Sequence, residues 1–170
     1  MKVLLLGSGG REHTLAWKIA QSKLCEALYI APGNAGTAEC GVNLNFSDSD
    51  VEKIKECIIE KQIDILVVGP EQALVNGIYD CIKNDKKTEK TIVIGPSQAG
   101  AVLEGSKDFA KAFMSKYNIP TADYQSFDKE NIEGALEYIQ TLKAPYVLKA
   151  DGLAAGKGVL ICHTIEEAKH

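Results

Sequence analysis

The sequence predicts an α/β protein: an open, mostly parallel sheet with interleaved helices, followed by a smaller α+β unit. Three observations predict it. Short all-apolar runs alternate with stretches of helical spacing from the first residues onward. Each of those runs closes on glycine or proline. After Pro96 the rhythm changes, and near the end a glycine loop lies between two strand-like runs.

VLLLG (3–7) is a short apolar run, as expected of a parallel strand covered on both faces. EHTLAWKIAQS then has Leu15 and Ile19 at helical spacing, with Ala16 and Trp17 on the flank. ALYIAPG (27–33) is a second strand ending in a turn. SDSDVEKIKECIIEKQ opens with capping residues, and Val51, Ile54 and Ile58 line one helical face. DILVVGPE (64–71) is a third strand, ALVNGIYDCIKND a third helix, and KKTEK its solvated exit. TIVIGPS (91–97) is a fourth strand. Two strands end in Gly-Pro, and the other two in GSGG and APGN. Ligands on open parallel sheets sit at the carboxyl ends of the strands, so the permissive backbone marks a binding rim.

QAGAVLEGSKDFAKAFMSKYN reads as one long helix with Phe109, Phe113 and Tyr117 four apart. It stops at Asn118-Ile-Pro120, since proline disfavours helix at the preceding residue. The boundary between units is expected near Pro120, giving a first domain over 1–120 and a second over 121–170. The second reads as a strand (TADYQSF), a helix (DKENIEGALEYIQTL), a strand, a glycine loop and a strand. TIEEAKH looks like the opening of a helix capped by Thr164, with Glu166 or Glu167 in its first turn.

Composition narrows the function classes. With 45% hydrophobic and 25% charged residues, the 170-residue chain matches an ordinary globular protein. A net charge of −4 without a basic run argues against nucleic acid. The five cysteines are odd in number, scattered and lack a C-x-x-C pair, so they read as reduced thiols of a cytoplasmic protein. The three histidines, His13, His163 and His170, lie far apart, and no metal site is expected within the chain. MKVLLLGSGG breaks into glycine too early for a signal peptide, and no stretch approaches the roughly twenty apolar residues of a membrane span.

GSGGREH follows the first strand and tempts a dinucleotide reading. The third glycine of G-x-G-x-x-G is replaced by Glu12, and the second strand ends Ile30-Ala31-Pro32 without the acidic residue that holds a ribose. Two alternatives stand: a tight strand–helix turn, or an anion cradle. For the cradle, Gly9 and Gly10 permit close approach, the helix amides point at the anion, and Arg11 adds a phosphate-matching fork. Glu12 suits a sugar hydroxyl or caps the helix; His13 reads as a packed or surface histidine. Asn34, in PGNAGT, and Glu71, after Gly69-Pro70, complete a rim suited to a small phosphosugar.

The stretch PYVLKADGLAAGKG places Lys149 on a strand and Asp151, Gly152, Gly156, Lys157 and Gly158 in the loop after it. This is not a Walker loop, because Gly158 stands where serine or threonine is needed. Its amides can fold over polyphosphate oxygens, and a buried Lys149 would need an anion to match it. Lys107, in GSKDFAK, is a second cation of this kind. Alone, either lysine reads as a surface residue; with the loop they read as a phosphate site.

These motifs resemble the ATP-grasp ligases. In order, GSGGREHTLAWK, APGNAGT, VVGPE, GSKDFAKAFM, YNIPTA and LKADGLAAGKGV resemble more closely the glycinamide ribonucleotide synthetase family of purine synthesis. The resemblance runs along essentially the whole chain. It implies a Rossmann-like pre-ATP-grasp sheet, then part of an ATP-grasp α+β lid subdomain. It implies that Gly10, Arg11, Glu12, Asn34 and Glu71 hold 5-phosphoribosylamine. It also implies that Lys107, Lys149 and the loop from Asp151 to Gly158 contact ATP, with Lys149 the catalytic candidate. The family reaction activates glycine as an acyl phosphate, which the sugar amine attacks. Members are far longer, with magnesium ligands beyond residue 170. The expectation is therefore that these 170 residues alone do not ligate.

Overall fold

The computed structural model describes residues 1–169; His170, the last of the three histidines, lies outside them. The chain divides into two compact units, Met1–Val102 and the remainder from Leu103.

The first unit is built on five parallel strands: β1 (Lys2–Gly7), β2 (Ala27–Pro32), β3 (Val42–Asn43), β4 (Ile65–Val68) and β5 (Ile92–Ile94). Their order across the sheet is β3-β2-β1-β4-β5. The helices are α1 (Gly10–Ala20), α2 (Val51–Lys61), α3 (Glu71–Val75), α4 (Ile78–Lys83) and the first residues of α5 (Gln98–Gly105), which continues past Val102. The period of two along each strand sorts its side chains onto two faces. Leu4, Leu6, Leu66 and Val68 pack with Ile54, Ile58, Leu74, Ile78 and Ile82 from α2, α3 and α4. Val3, Leu5, Leu28 and Ile30 pack with Ala16 of α1. Register enforces the division: Leu5 lies opposite Ile30 on one side and Val67 on the other. Leu4, Leu5 and Leu6 are wholly buried, each worth about 1.5–3 kcal/mol relative to exposure.

The strand order reverses beside β1, where the chain crosses from β3 to β4. Such a switch point opens a crevice between the carboxyl ends of the two central strands. Here those ends carry Gly7–Gly10 after β1 and Gly69–Glu71 after β4. The four strands read from sequence are present; β3, two residues long, is too short to leave a period.

Several expectations need correction. The third helix is two, because Gly77 adopts φ +87° and ends the run at Asn76. KKTEK is not simply a solvated exit, since Thr88 is wholly buried and its hydroxyl donates to the Ile82 carbonyl. On α1 the buried positions are Glu12 and Ala16, while Leu15 and Trp17 are exposed. The long helix from Gln98 is also two helices. Ser106 leaves helical geometry and accepts the Phe109 N–H, which starts α6 (Lys107–Lys116) anew. The division at Val102–Leu103, rather than near Pro120, lies beside this break.

The second unit contains α6, α7 (Ile132–Thr141), an antiparallel pair β6 (Tyr146–Lys149) and β7 (Val159–Cys162), and α8 (Ile165–Lys169). Asn131 caps α7 by accepting from Gly134, and Thr164 caps α8 by accepting from Glu167. TADYQSF is not a strand: residues 121–127 pair with no neighbour. Extended backbone becomes a strand only when another edge takes its hydrogen bonds.

Candidate functional site

At the end of β1 the chain turns through Gly7, at φ +120°, into α1. Gly9 is the N-cap and has no side-chain acceptor to offer the helix, so the amides of Gly10, Arg11 and Glu12 lack intrahelical partners. Gly10 faces open space: a Cβ there would meet nothing within 4 Å. These are the features of an anion cradle.

Glu12 is only 4% exposed. Its Oε2 accepts the Gly9 N–H at 2.8 Å, the half of a capping box that a glycine N-cap allows. Its Oε1 accepts from Arg11 Nε at 3.0 Å. A second carboxylate, Glu71 at the start of α3, accepts from Arg11 Nη2 at 2.8 Å. The guanidinium is thus held by a carboxylate at Nε and another at Nη2, bridging the loops after β1 and β4. Glu71, then Glu12, favour the Arg11 charge and raise its pKa; Arg11 in turn lowers that of Glu71.

Asn34 belongs to the same rim but is occupied. Its Nδ2 donates to the carbonyls of Ser8 and Gly9 at 2.8 and 3.3 Å, and its Oδ1 accepts the Thr37 N–H at 3.0 Å. Thr37, wholly buried, donates to Asn43 Oδ1, while Asn43 Nδ2 donates to the Asn34 carbonyl. Asn34 therefore ties the second rim loop to the first. Thr37 and Asn43 were not singled out from sequence, although the spacing N-x-x-T is an Asx-turn signal. His13 lies exposed over Gly36, where a Cβ would come within 2.3 Å of the imidazole.

In the second unit Asp151 is the organising residue. Its carboxylate accepts from the N–H groups of Lys107 at 2.6 Å and Asp108 at 3.3 Å, and from Ser106 Oγ at 3.1 Å. Burial pushes its pKa up, but the amides of Asp108, Gly152 and Lys107 and the Ser106 hydroxyl outweigh this and lower it. The Lys107 ammonium donates to the Gly152 carbonyl at 2.7 Å. The glycine loop is thus pinned at its start to the N-terminus of α6. At its other end Ala150 donates to the Gly158 carbonyl at 2.8 Å, continuing the β6–β7 ladder.

Between these ends Gly152, Ala155 and Gly156 take φ of +89°, +47° and +77°. Gly152 and Gly156 would meet nothing within 4 Å if given a Cβ. Lys157 is exposed, its N–H donating to Ala154. Lys149 ends β6 opposite Val159 and is exposed, so the burial that would have demanded a matching anion is not found. The structure brings Lys107, Asp151 and Gly152 into direct contact and leaves Lys149 and Lys157 exposed. Among the described residues no three His, Cys, Asp or Glu side chains cluster to hold a metal ion. No helix among them is long and apolar enough to cross a membrane.

Comparison with known proteins shows the family of the chain. Residues 1–104 match the phosphoribosylglycinamide synthetase N domain, and residues 105–170 match the ATP-grasp (A) domain of the same synthetase. The phosphoribosylamine–glycine ligase of Clostridium acetobutylicum is 50% identical over 169 residues, 99% of this chain and 39% of that protein. The crystal structure of the Thermotoga maritima phosphoribosylamine–glycine ligase matches with a TM-score of 0.74 and 37% identity, over 99% of this chain and 38% of that one. N5-carboxyaminoimidazole ribonucleotide synthetase from Thermotoga maritima shares the fold at 19% identity and TM-score 0.66, over 98% of this chain and 42% of that one. This chain therefore spans about two fifths of the relatives it matches. The chain belongs to the phosphoribosylglycinamide synthetase family, of which it carries the N domain and a stretch of the ATP-grasp domain.

Proposed function

We propose that this sequence serves an ATP-dependent ligase of the cytoplasm that joins glycine to 5-phosphoribosylamine, giving glycinamide ribonucleotide. The observation that carries the reading is the Arg11 fork, held between Glu12 and Glu71 beside the open first-turn amides of α1. Gly10 and Arg11 receive the sugar phosphate through backbone N–H groups and the free guanidinium edge. Glu71, 37% exposed at its side chain, keeps an oxygen for a sugar hydroxyl or the amine. Asn34 acts by holding its loop against Ser8 and Gly9.

In the second unit Lys107, Lys149, Lys157 and the loop from Asp151 to Gly158 bind the phosphates of ATP. The left-handed backbone at Gly152, Ala155 and Gly156 is the kind of turn conformation from which anion-binding nests are built. Lys149 is the cation that follows the transferring phosphoryl group. ATP phosphorylates the glycine carboxylate, which turns a poor leaving group into a good one. The sugar amine then attacks the acyl carbon and phosphate departs. Positioning and charge spreading, rather than a protein nucleophile, supply the acceleration.

The test is an assay of the full natural gene product carrying this sequence, with glycine, ATP and phosphoribosylamine. The expected products are glycinamide ribonucleotide, ADP and phosphate in equal amounts. ATP turnover that ignores phosphoribosylamine, or ligation onto a different phosphorylated amine, would overturn the reading.

A further inference from the structure

Among the described residues Glu12 is the one buried charged side chain, and no step of the proposed ligation uses it. Its surroundings are glycine on three sides. An added Cβ at Gly7 would lie 2.5 Å from Glu12 Cγ, one at Gly69 2.4 Å from Oε1, and one at Gly9 2.9 Å from Oε2. Gly7 and Gly9 come from the loop after β1 and Gly69 from the loop after β4, so the socket is assembled from both sides of the switch point. A buried carboxylate persists only where its oxygens are engaged, and both are: Gly9 N–H on one, Arg11 Nε on the other.

We infer that Glu12 is a positioning residue for the sugar-phosphate site: it touches no substrate and sets the direction of the Arg11 fork. The inference rests on the reading of that site given above. Nε is the donor nearest the side-chain stem, so anchoring it fixes the plane of the guanidinium, while Glu71 at Nη2 fixes the tilt. What remains for a ligand are the Nη N–H groups that Glu71 does not take, aimed by a carboxylate that is almost wholly buried. The same carboxylate anchors Gly9 N–H and so holds the turn from which the α1 amides project.

The experiment is a double-mutant cycle on the full natural ligase, with Glu12→Gln, Arg11→Ala and their combination. Glutamine keeps one acceptor oxygen for the Gly9 N–H, while its NH2 cannot accept from Arg11 Nε, so the variant removes the Arg11 contact and spares the turn. Each single variant is expected to raise KM for the phosphorylated sugar amine about tenfold or more while leaving KM for ATP within about twofold. The combination is expected to be no worse than Arg11→Ala alone, because Glu12 acts through Arg11.

Additive losses would show that Glu12 meets substrate itself and overturn the inference. Loss of thermal stability with unchanged KM would reduce Glu12 to a helix cap and also overturn it. Unchanged sugar-amine KM in Arg11→Ala would instead overturn the reading of the site, a separable result. Should Glu12→Gln fail to fold, Gly9→Ala runs the same cycle. Its backbone is already extended at φ −86°, and its Cβ presses on Glu12 Oε2 alone.

Discussion

The two glycine loops of this chain are built on opposite plans. In the turn after β1, Gly7 and Gly9 pack against a buried carboxylate, and added atoms would collide within 3 Å. In the loop after β6, Gly152 and Gly156 face open space, and order comes from the ends: Asp151 and Lys107 at the start, Gly158 at the close. The first plan gives a site whose donors are aimed before a ligand arrives. The second leaves the middle of its loop without such packing. On the function proposed above, a sugar phosphate that only has to be held would suit the first, and a triphosphate that has to be covered and then released would suit the second.

The largest expected effect breaks the comparison at its catalytic end. Lys149→Ala should lower kcat of the full ligase by about 100- to 1000-fold, the range for deleting one group that meets developing charge. Because Lys149 is exposed, the melting temperature should hardly move. Steady-state kinetics beside a thermal melt decides this. A wild-type kcat would remove Lys149 from the chemistry and leave the flap with Lys107 and Lys157 only.

A stability contrast comes next. Gly7→Ala places a Cβ 2.5 Å from Glu12 Cγ at φ +120° and should cost about 3 kcal/mol through overpacking and strain. Gly156→Ala meets no neighbour, so only the left-handed backbone at φ +77° opposes it, about 1 kcal/mol. Urea unfolding of the two variants measures both. Equal costs would mean that the socket around Glu12 yields as easily as open loop. A smaller effect tests the flap's anchor. Asp151→Ala leaves two first-turn amides of α6 without their acceptor and should destabilise that helix by about 1 kcal/mol, seen as faster amide exchange at Lys107 and Asp108.

These differences show what a sequence carries. The parallel sheet was legible because each strand is a local apolar run with its own stop: VLLLG, ALYIAPG, LVVGP, IVIGP. The rim was legible for the same reason, since glycine and proline mark strand ends wherever they fall. What was not legible is convergence. Nothing local in GSGGREH says that Gly69, about sixty residues on, completes the socket of Glu12, so the carboxylate reads equally as a ligand for sugar or as a cap. Asn34 shows the same convergence: its amide suits a ligand, and in the fold Nδ2 is given to the Ser8 and Gly9 carbonyls while Oδ1 accepts from Thr37. The break at Ser106 was signalled by GSKD, a serine before a charged first turn, but continuous apolar spacing on both sides masked it. The exposure of Lys149 lies beyond any period-two argument, which assigns a face but not what covers it.

The smallest predicted effect is a pH dependence, and it separates the two loops by mechanism. Glu71 has its pKa lowered chiefly by the Arg11 hydrogen bond, and Asp151 by backbone amides acting against burial. A carboxylate whose folded pKa is depressed adds stability above its unfolded value, and that addition is lost as pH falls through the folded one. The losses therefore begin below the ordinary values of 4.5 for Glu71 and 3.8 for Asp151 and deepen with acid. Both groups meet solvent, so screening keeps each contribution under about 1 kcal/mol. Salt then distinguishes them. The Glu71 contribution comes from a charged partner near the surface, and 0.5 M salt, with a Debye length of about 4 Å, should remove most of it. The Asp151 contribution comes mainly from short hydrogen bonds to neutral amides and should persist. Acid unfolding of Glu71→Gln and Asp151→Asn at low and high salt gives the comparison. The difference between wild type and Glu71→Gln should vanish with salt, and that for Asp151→Asn should remain. Equal salt sensitivity would mean that Asp151 is held by the charge of Lys107 rather than by the amides of α6, and the flap would then be an electrostatic latch that polyphosphate competes for directly.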